Sequence, residues 1–254
     1  MRIAVGSDRG AGGPRVVVRW VTGFLDSPSR AAEPFWLAVT GSSVSARRGP
    51  GGAFATLVPA DGDAYLRVQV VGDPPARAHL DLHVDDAAAA AESVVGLGAV
   101  VPFAEPGLVV LRSPAGIVFC LVDWAGERVV PAPVRWPGGQ VSRVDQLCLD
   151  IPAADHARES AFWAGVTGWR ARASGLPEFS FLEPEGGLPV RLLLQRTGGS
   201  RSGVHLDLAC ADVEAEVARH VGLGAQVVRR VPGDWTTLRD PVGREYCVTR
   251  RPAR

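Results

Sequence analysis

A chain that states the same four motifs twice, in the same order and at nearly constant spacing, is constrained to fold as two similar domains. Phe35-Trp36 with Val39-Thr40-Gly41 returns as Phe162-Trp163 with Val166-Thr167-Gly168, an offset of 127 residues. His79-Leu80-Asp81-Leu82 returns as His205-Leu206-Asp207-Leu208, and Gly96-Leu97-Gly98-Ala99 as Gly222-Leu223-Gly224-Ala225, both at an offset of 126. Leu111-Arg112-Ser113-Pro114-Ala115-Gly116 is matched by Leu238-Arg239-Asp240-Pro241-Val242-Gly243, and Cys120 by Cys247. Solenoid arrays are excluded, because their units run about 20 to 50 residues. Half of 254 residues is also enough for each copy to bury its own core.

Composition removes whole function classes. The chain has no lysine and no asparagine, so all 27 basic residues are arginine, a bias that points to a GC-rich bacterial genome. Without lysine there is no P-loop, Schiff base or lysine-bound pyridoxal phosphate, and no nucleotide cofactor is expected. Arginines balance 27 acids at zero net charge and are scattered, whereas a nucleic-acid binder gathers them on one face. No apolar run approaches the roughly 18 residues of a membrane span. The Gly-rich stretch Met1 to Gly13 lacks a signal-peptide core, so a cytoplasmic location is expected. In that compartment Cys120, Cys148, Cys210 and Cys247, which form no Cys-x-x-Cys pair, are expected to be free buried thiols.

Each copy divides again into two units of strand, helix and strands. In the second copy Val144 to Ile151 alternates as a strand, and Asp155 can cap a helix bearing Phe162, Trp163 and Val166. Strands follow at 178–183, 190–196 and 204–210. Asp212 then caps a helix that runs to about Val221, and strands near 226–231, 236–238 and 245–249 complete the copy. In the first copy Ser27-Pro28 reads as a cap and first helical position, and Pro34 predicts that the helix kinks or starts late. The predicted domains are residues 14–123 and 144–250, joined by a Pro/Gly-rich linker over 124–143. The class is α+β, with curved antiparallel-rich sheets.

The strand HLDL, the acid-capped helix ending GLGA and the closing LRDPVGREYCV together resemble the glyoxalase/bleomycin-resistance/dioxygenase superfamily, also called vicinal oxygen chelate, and within it the glyoxalase-like group. The resemblance covers both copies, from about Val17 to Thr249. It implies tandem domains, each of paired βαβββ modules forming a mixed-sheet cup, with metal ligands drawn from the strands. Carried onto this sequence, the ligand positions are Gln146, Gln195, His205 and Glu245, with Glu245 also the candidate catalytic base. Their imidazole, carboxylate and amide oxygens suit a divalent ion of unspecified identity. The two-His, one-Glu pattern of extradiol dioxygenases lacks one His here and is disfavoured.

In the first copy Gln69 and His79 match, but Val118 stands for Glu245, and the offset sets Arg19 against Gln146. His79, Asp81 and His83 share one strand face, best read as hydrogen-bonded polar residues. His156 and His220 read as helix-end residues explained by capping and solvation, and Trp36 and Trp163 as core. No Gly-x-Ser-x-Gly elbow exists.

Two functions follow from the resemblance. One is metal-dependent lyase or isomerase chemistry on a small oxygenated or aromatic molecule in the second copy. The alternative is non-catalytic sequestration of a small molecule, as by bleomycin-resistance proteins. In either case the first copy is expected mainly to support folding or enclose the ligand, and the oligomeric state is left open.

Overall fold

The structure is a computed structural model and describes residues 16–253; the stretch up to Gly13 lies outside them. The first copy contains β1 (Trp20–Ser27), α1 (Glu33–Thr40), β2 (Ser43–Val44), β3 (Phe54–Val58) and β4 (Leu66–Val70). Its second unit is β5 (Arg77–Val84), α2 (Ala87–Gly96), β6 (Val100–Glu105), β7 (Leu108–Arg112) and β8 (Val118–Asp123). After the short β9 (Val134–Arg135), the second copy opens with β10 (Val141–Pro152), α3 (His156–Thr167), β11 (Arg170–Ala173), β12 (Phe179–Glu183) and β13 (Arg191–Thr197). It closes with β14 (Gly203–Cys210), α4 (Val213–Gly222), β15 (Gln226–Val231), β16 (Trp235–Arg239) and β17 (Glu245–Arg250).

The strand orders are β2-β3-β4-β1-β5-β8-β7-β6 and β11-β12-β13-β10-β14-β17-β16-β15, with β9 paired to β10. Each sheet is therefore two βαβββ modules of one copy, joined where β1 meets β5 and where β10 meets β14. His79 on β5 and His205 on β14 occupy the same place in their sheets. The sequence is an α+β tandem repeat and folds as one.

Local chemistry explains the repeated motifs. In Val-Thr-Gly the threonine hydroxyl donates back to the tryptophan carbonyl one turn earlier, at 2.7 Å in both copies. Gly41 and Gly168 then end the helices at φ 65° and 64°, where a side chain would be strained. Asp86 and Asp212 cap α2 and α4 by accepting from Ala89 N and Ala215 N. Pro34 does start α1 late: it has 8 residues against 12 in α3, and a 3-10 turn precedes it. Ser27 is not its cap, because β1 extends through Ser27 and Ser29 caps the turn.

The two copies share their cores. The Phe35 and Trp36 rings of α1 pack edge-on against Tyr246 of the second sheet, and the Trp36 indole donates to Asp240 at 2.9 Å. In return Phe162 and Trp163 of α3 pack on Phe119 of the first sheet, and Glu159 accepts from Ala115 N. Between them β1 meets β10 so closely that a Cβ at Gly23 would lie 3.2 Å from Leu147. Trp36 and Trp163 are core, as expected. His220 is not solvated: it is fully buried between the Tyr246 hydroxyl and Glu216.

Glu216 is buried with Ser142, Arg219 and His220. Burial alone would raise its pKa, but hydrogen bonds from these three groups lower it to about 2. Its depressed pKa contributes stability that is complete above the ordinary glutamate range and lost as pH falls through about 2. We expect urea midpoints to drop between pH 5 and pH 2.5, and Glu216→Gln to flatten that drop while lowering stability at neutral pH. An equally steep drop in the variant would assign the acid sensitivity to other groups.

Candidate functional site

Strand alternation turns one face of each sheet away from the helices. On that face of the second sheet, register sets Arg191, Gln146, Asp207 and Cys247 side by side. One step along, Leu193, Cys148 and His205 form the next row, and Glu245 precedes Cys247 by two residues on β17, on the same side of the sheet. Gln195 and Asp150 form the third. A β-bulge between Val144 and Gln146 adjusts the alternation of β10.

His205 is the centre of the cluster. Its Nδ1 lies 2.9 Å from Asp150 Oδ2 and its Nε2 lies 3.3 Å from Asp207 Oδ1. Burial opposes charge on the ring, yet the carboxylates of Asp150 and Asp207 on either side hold its pKa well above the usual range. Ligand atoms of Cys148, His205 and Asp207 all lie within 4.8 Å of one another. Asp207 Oδ1 is buried without a hydrogen-bond partner. Burial pushes up the thiols of Cys148 and Cys247, which therefore carry their protons. All four cysteines are free and buried.

Of the quartet carried from the resemblance, His205 lies in this cluster. Gln146 is buried beside it, donating to Asp207 and accepting from Arg191 at 2.8 Å. Gln195 is reached through the Cys148 thiol at 3.5 Å. Glu245 lies at the rim, half exposed and paired with Arg239 at 2.7 Å. A cup of about 200 Å³ covers the cluster, walled by Phe179, Phe181, Leu193 and Trp235. It continues past His205 and Gln195 into a cleft of about 720 Å³ between the copies, which Glu245 also lines.

The first copy repeats the polar core. His79 Nδ1 lies 2.8 Å from Asp26 Oδ2, its Nε2 lies 3.6 Å from Asp81 Oδ1, and Cys120 completes a group within 4.8 Å. Asp81 Oδ1 again makes no hydrogen bond. Register aligns Asp26 with Asp150, Phe24 with Cys148 and Thr22 with Gln146. Arg19 is thus not the counterpart of Gln146; it lies before β1 and pairs with Asp85. His83 hydrogen-bonds Thr22 at 2.8 Å, in keeping with a polar face. Sequence reasoning missed Asp26 and Asp150. The signal was the repeated Leu25-Asp26 and Leu149-Asp150, displaced from the other offsets.

The family model for the glyoxalase-like domain matches residues 24–122 and again 146–249. No curated protein matches in sequence. Similar solved structures include a 4-hydroxymandelate synthase variant from Streptomyces coelicolor, with TM-score 0.60 and 15% identity over 95% of this chain and 94% of that one. A homoprotocatechuate 2,3-dioxygenase variant from B. fuscum gives TM-score 0.63 and 14% identity over 97% and 74%. A xylose isomerase-like TIM barrel/4-hydroxyphenylpyruvate dioxygenase fusion protein gives 0.58 and 16% over 96% of this chain, which spans only 51% of it. At these identities the likeness is one of fold. Among the described residues no helix is long and apolar enough to cross a membrane.

Proposed function

We propose, given that this chain belongs to the glyoxalase-like domain family and carries the domain twice, that its second copy binds a small oxygenated or aromatic molecule over a divalent metal. The observation that carries the reading is the convergence of His205 Nε2, the buried Asp207 Oδ1 that faces it at 3.3 Å, and the Cys148 sulfur beneath an aromatic-walled cup. Imidazole, carboxylate and the thiolate that Cys148 would become by releasing its proton to solvent on binding form a donor set that fits a borderline ion such as zinc. His205 and Asp207 would hold the ion with Cys148, and Gln146 and Gln195 would flank it. A bound ion would act as a Lewis acid toward vicinal oxygens of the ligand.

The remaining roles belong to the chain. Asp150 orients the His205 ring through Nδ1. Arg191, stacked 4.0 Å over Phe181, holds the Gln146 amide. Glu245 lines the same cleft as His205, and its half-exposed carboxylate, held by Arg239, is the group placed for proton abstraction in lyase or isomerase chemistry. A second reading, sequestration without catalysis, is favoured by one feature: His205 already has carboxylates at both nitrogens.

Elemental analysis of protein purified without chelators tests this. Expected is bound divalent metal that falls by half or more in His205→Ala and in Asp207→Asn. Metal content unchanged in both variants would remove the metal from the reading. Ligand binding that persists without metal would leave the sequestration reading.

A further inference from the structure

The first copy differs from the second at two positions that together change the charge of its cup. Register sets Arg67 where the second copy has Leu193, and Val118 where it has Glu245. In the second copy Glu245 neutralises Arg239 at 2.7 Å. Arg112, the counterpart of Arg239, pairs in register with Val118 and has no carboxylate there. The substitution that reads in sequence as the loss of a ligand thus leaves a cation unpaired.

The result is a cup of about 540 Å³ lined by Arg48, Arg67, Arg77 and Arg112 but by only two acids, Asp26 and Asp81. Both acids face His79, and Arg77 lies 3.7 Å from Asp26. Arg48 bonds only hydroxyls, those of Ser45 and Thr56. Arg67 is held 5.7 Å over the Phe24 ring, whose plane stacks on His79 at 4.5 Å. Its Nε is buried with no hydrogen-bond partner. Among the described residues, Arg48, Arg67 and Arg112 have no carboxylate within ion-pairing distance. Phe54, Val110 and Val118 supply apolar wall.

We propose that the first copy's cup is a second ligand site, for a small organic monoanion with a carboxylate on an apolar body. Arg67 is the anchor, with Arg48 and Arg112 beside it. A guanidinium with a free, desolvated N–H gains a charge-assisted hydrogen bond from such a group. The apolar wall takes the body of the ligand, and the two floor aspartates disfavour multiply charged anions such as phosphate esters. The site is independent of the metal reading for the second copy.

The test uses the whole chain, with 4-fluorobenzoate and its neutral isostere 4-fluorobenzamide as probes, followed by calorimetry and fluorine NMR. Benzoate is expected to bind at least about tenfold more tightly than the amide. Arg67→Gln should weaken benzoate about tenfold. Val118→Glu, at a partly exposed position, should weaken it by pairing with Arg112 even if Arg67→Gln fails to fold. Arg191→Gln in the second copy should leave it unchanged. Equal affinity for acid and amide, benzoate binding indifferent to both first-copy variants, binding lost only in Arg191→Gln, or no binding at millimolar probe would each overturn the proposal.

Discussion

Arg244→Ala is expected to destabilise the protein by about 3–5 kcal/mol, the usual cost of stripping one partner from a buried ion pair. Arg244 is almost fully buried and donates to Asp240 at 2.8 Å, to the carbonyl of Arg77 at 3.0 Å, and to the carbonyl and hydroxyl of Asp26 and Ser27, both at 2.7 Å. Asp240 accepts in turn from Trp36 of the first copy. Removing the guanidinium leaves a buried carboxylate and two carbonyls short of donors, which costs more than the pair itself contributes. Urea unfolding of the variant measures the loss. A change under about 1 kcal/mol would mean that water replaces the guanidinium and that the cluster is not sealed.

Trp163→Ala is expected to cost a similar amount, about 3–5 kcal/mol, the range for large-to-small changes of core aromatics. The indole is fully buried, packs 4.9 Å from Phe119 of the other copy, and donates to Glu159 at 2.8 Å. Truncation opens a cavity and also frees Glu159, the group that accepts from Ala115 N. Because α3 belongs to one copy and covers the other, both sheets should lose protection together. Hydrogen exchange on β5 and β14 reads this directly: faster exchange confined to one sheet would show that the two cores are energetically separate.

Most of the fold was legible because the repeat is spelled in residues with local physical roles. Gly41 and Gly168 end helices, Asp86 and Asp212 start them, and His-Leu-Asp-Leu alternates across a sheet. What was not legible came from a slip in spacing. The helix motifs repeat at 127 residues, but register aligns Thr22 with Gln146 and Asp26 with Asp150, an offset of 124. The difference of three residues falls between strand and helix, where α1 is shorter than α3. Applying the helix offset to the strand selected Arg19 and hid both aspartates that orient the histidines. His220 was misread because its partner Tyr246 lies on another element, a contact that no local pattern encodes. The cross-copy packing of Trp36 and Trp163 was equally out of reach, since an apolar helix face does not say which sheet it covers.

That exchange of helices bears on how the two cups can diverge. Each sheet's hidden side is upholstered by an aromatic pair encoded in the other copy, so neither half can drift there without unsettling its twin. The outward faces carry no such mutual obligation. Arg67 can stand opposite Leu193, and Val118 opposite Glu245, at no expense to the shared interior. A duplication built in this way is free to specialise its two mouths while its backs remain a single inheritance.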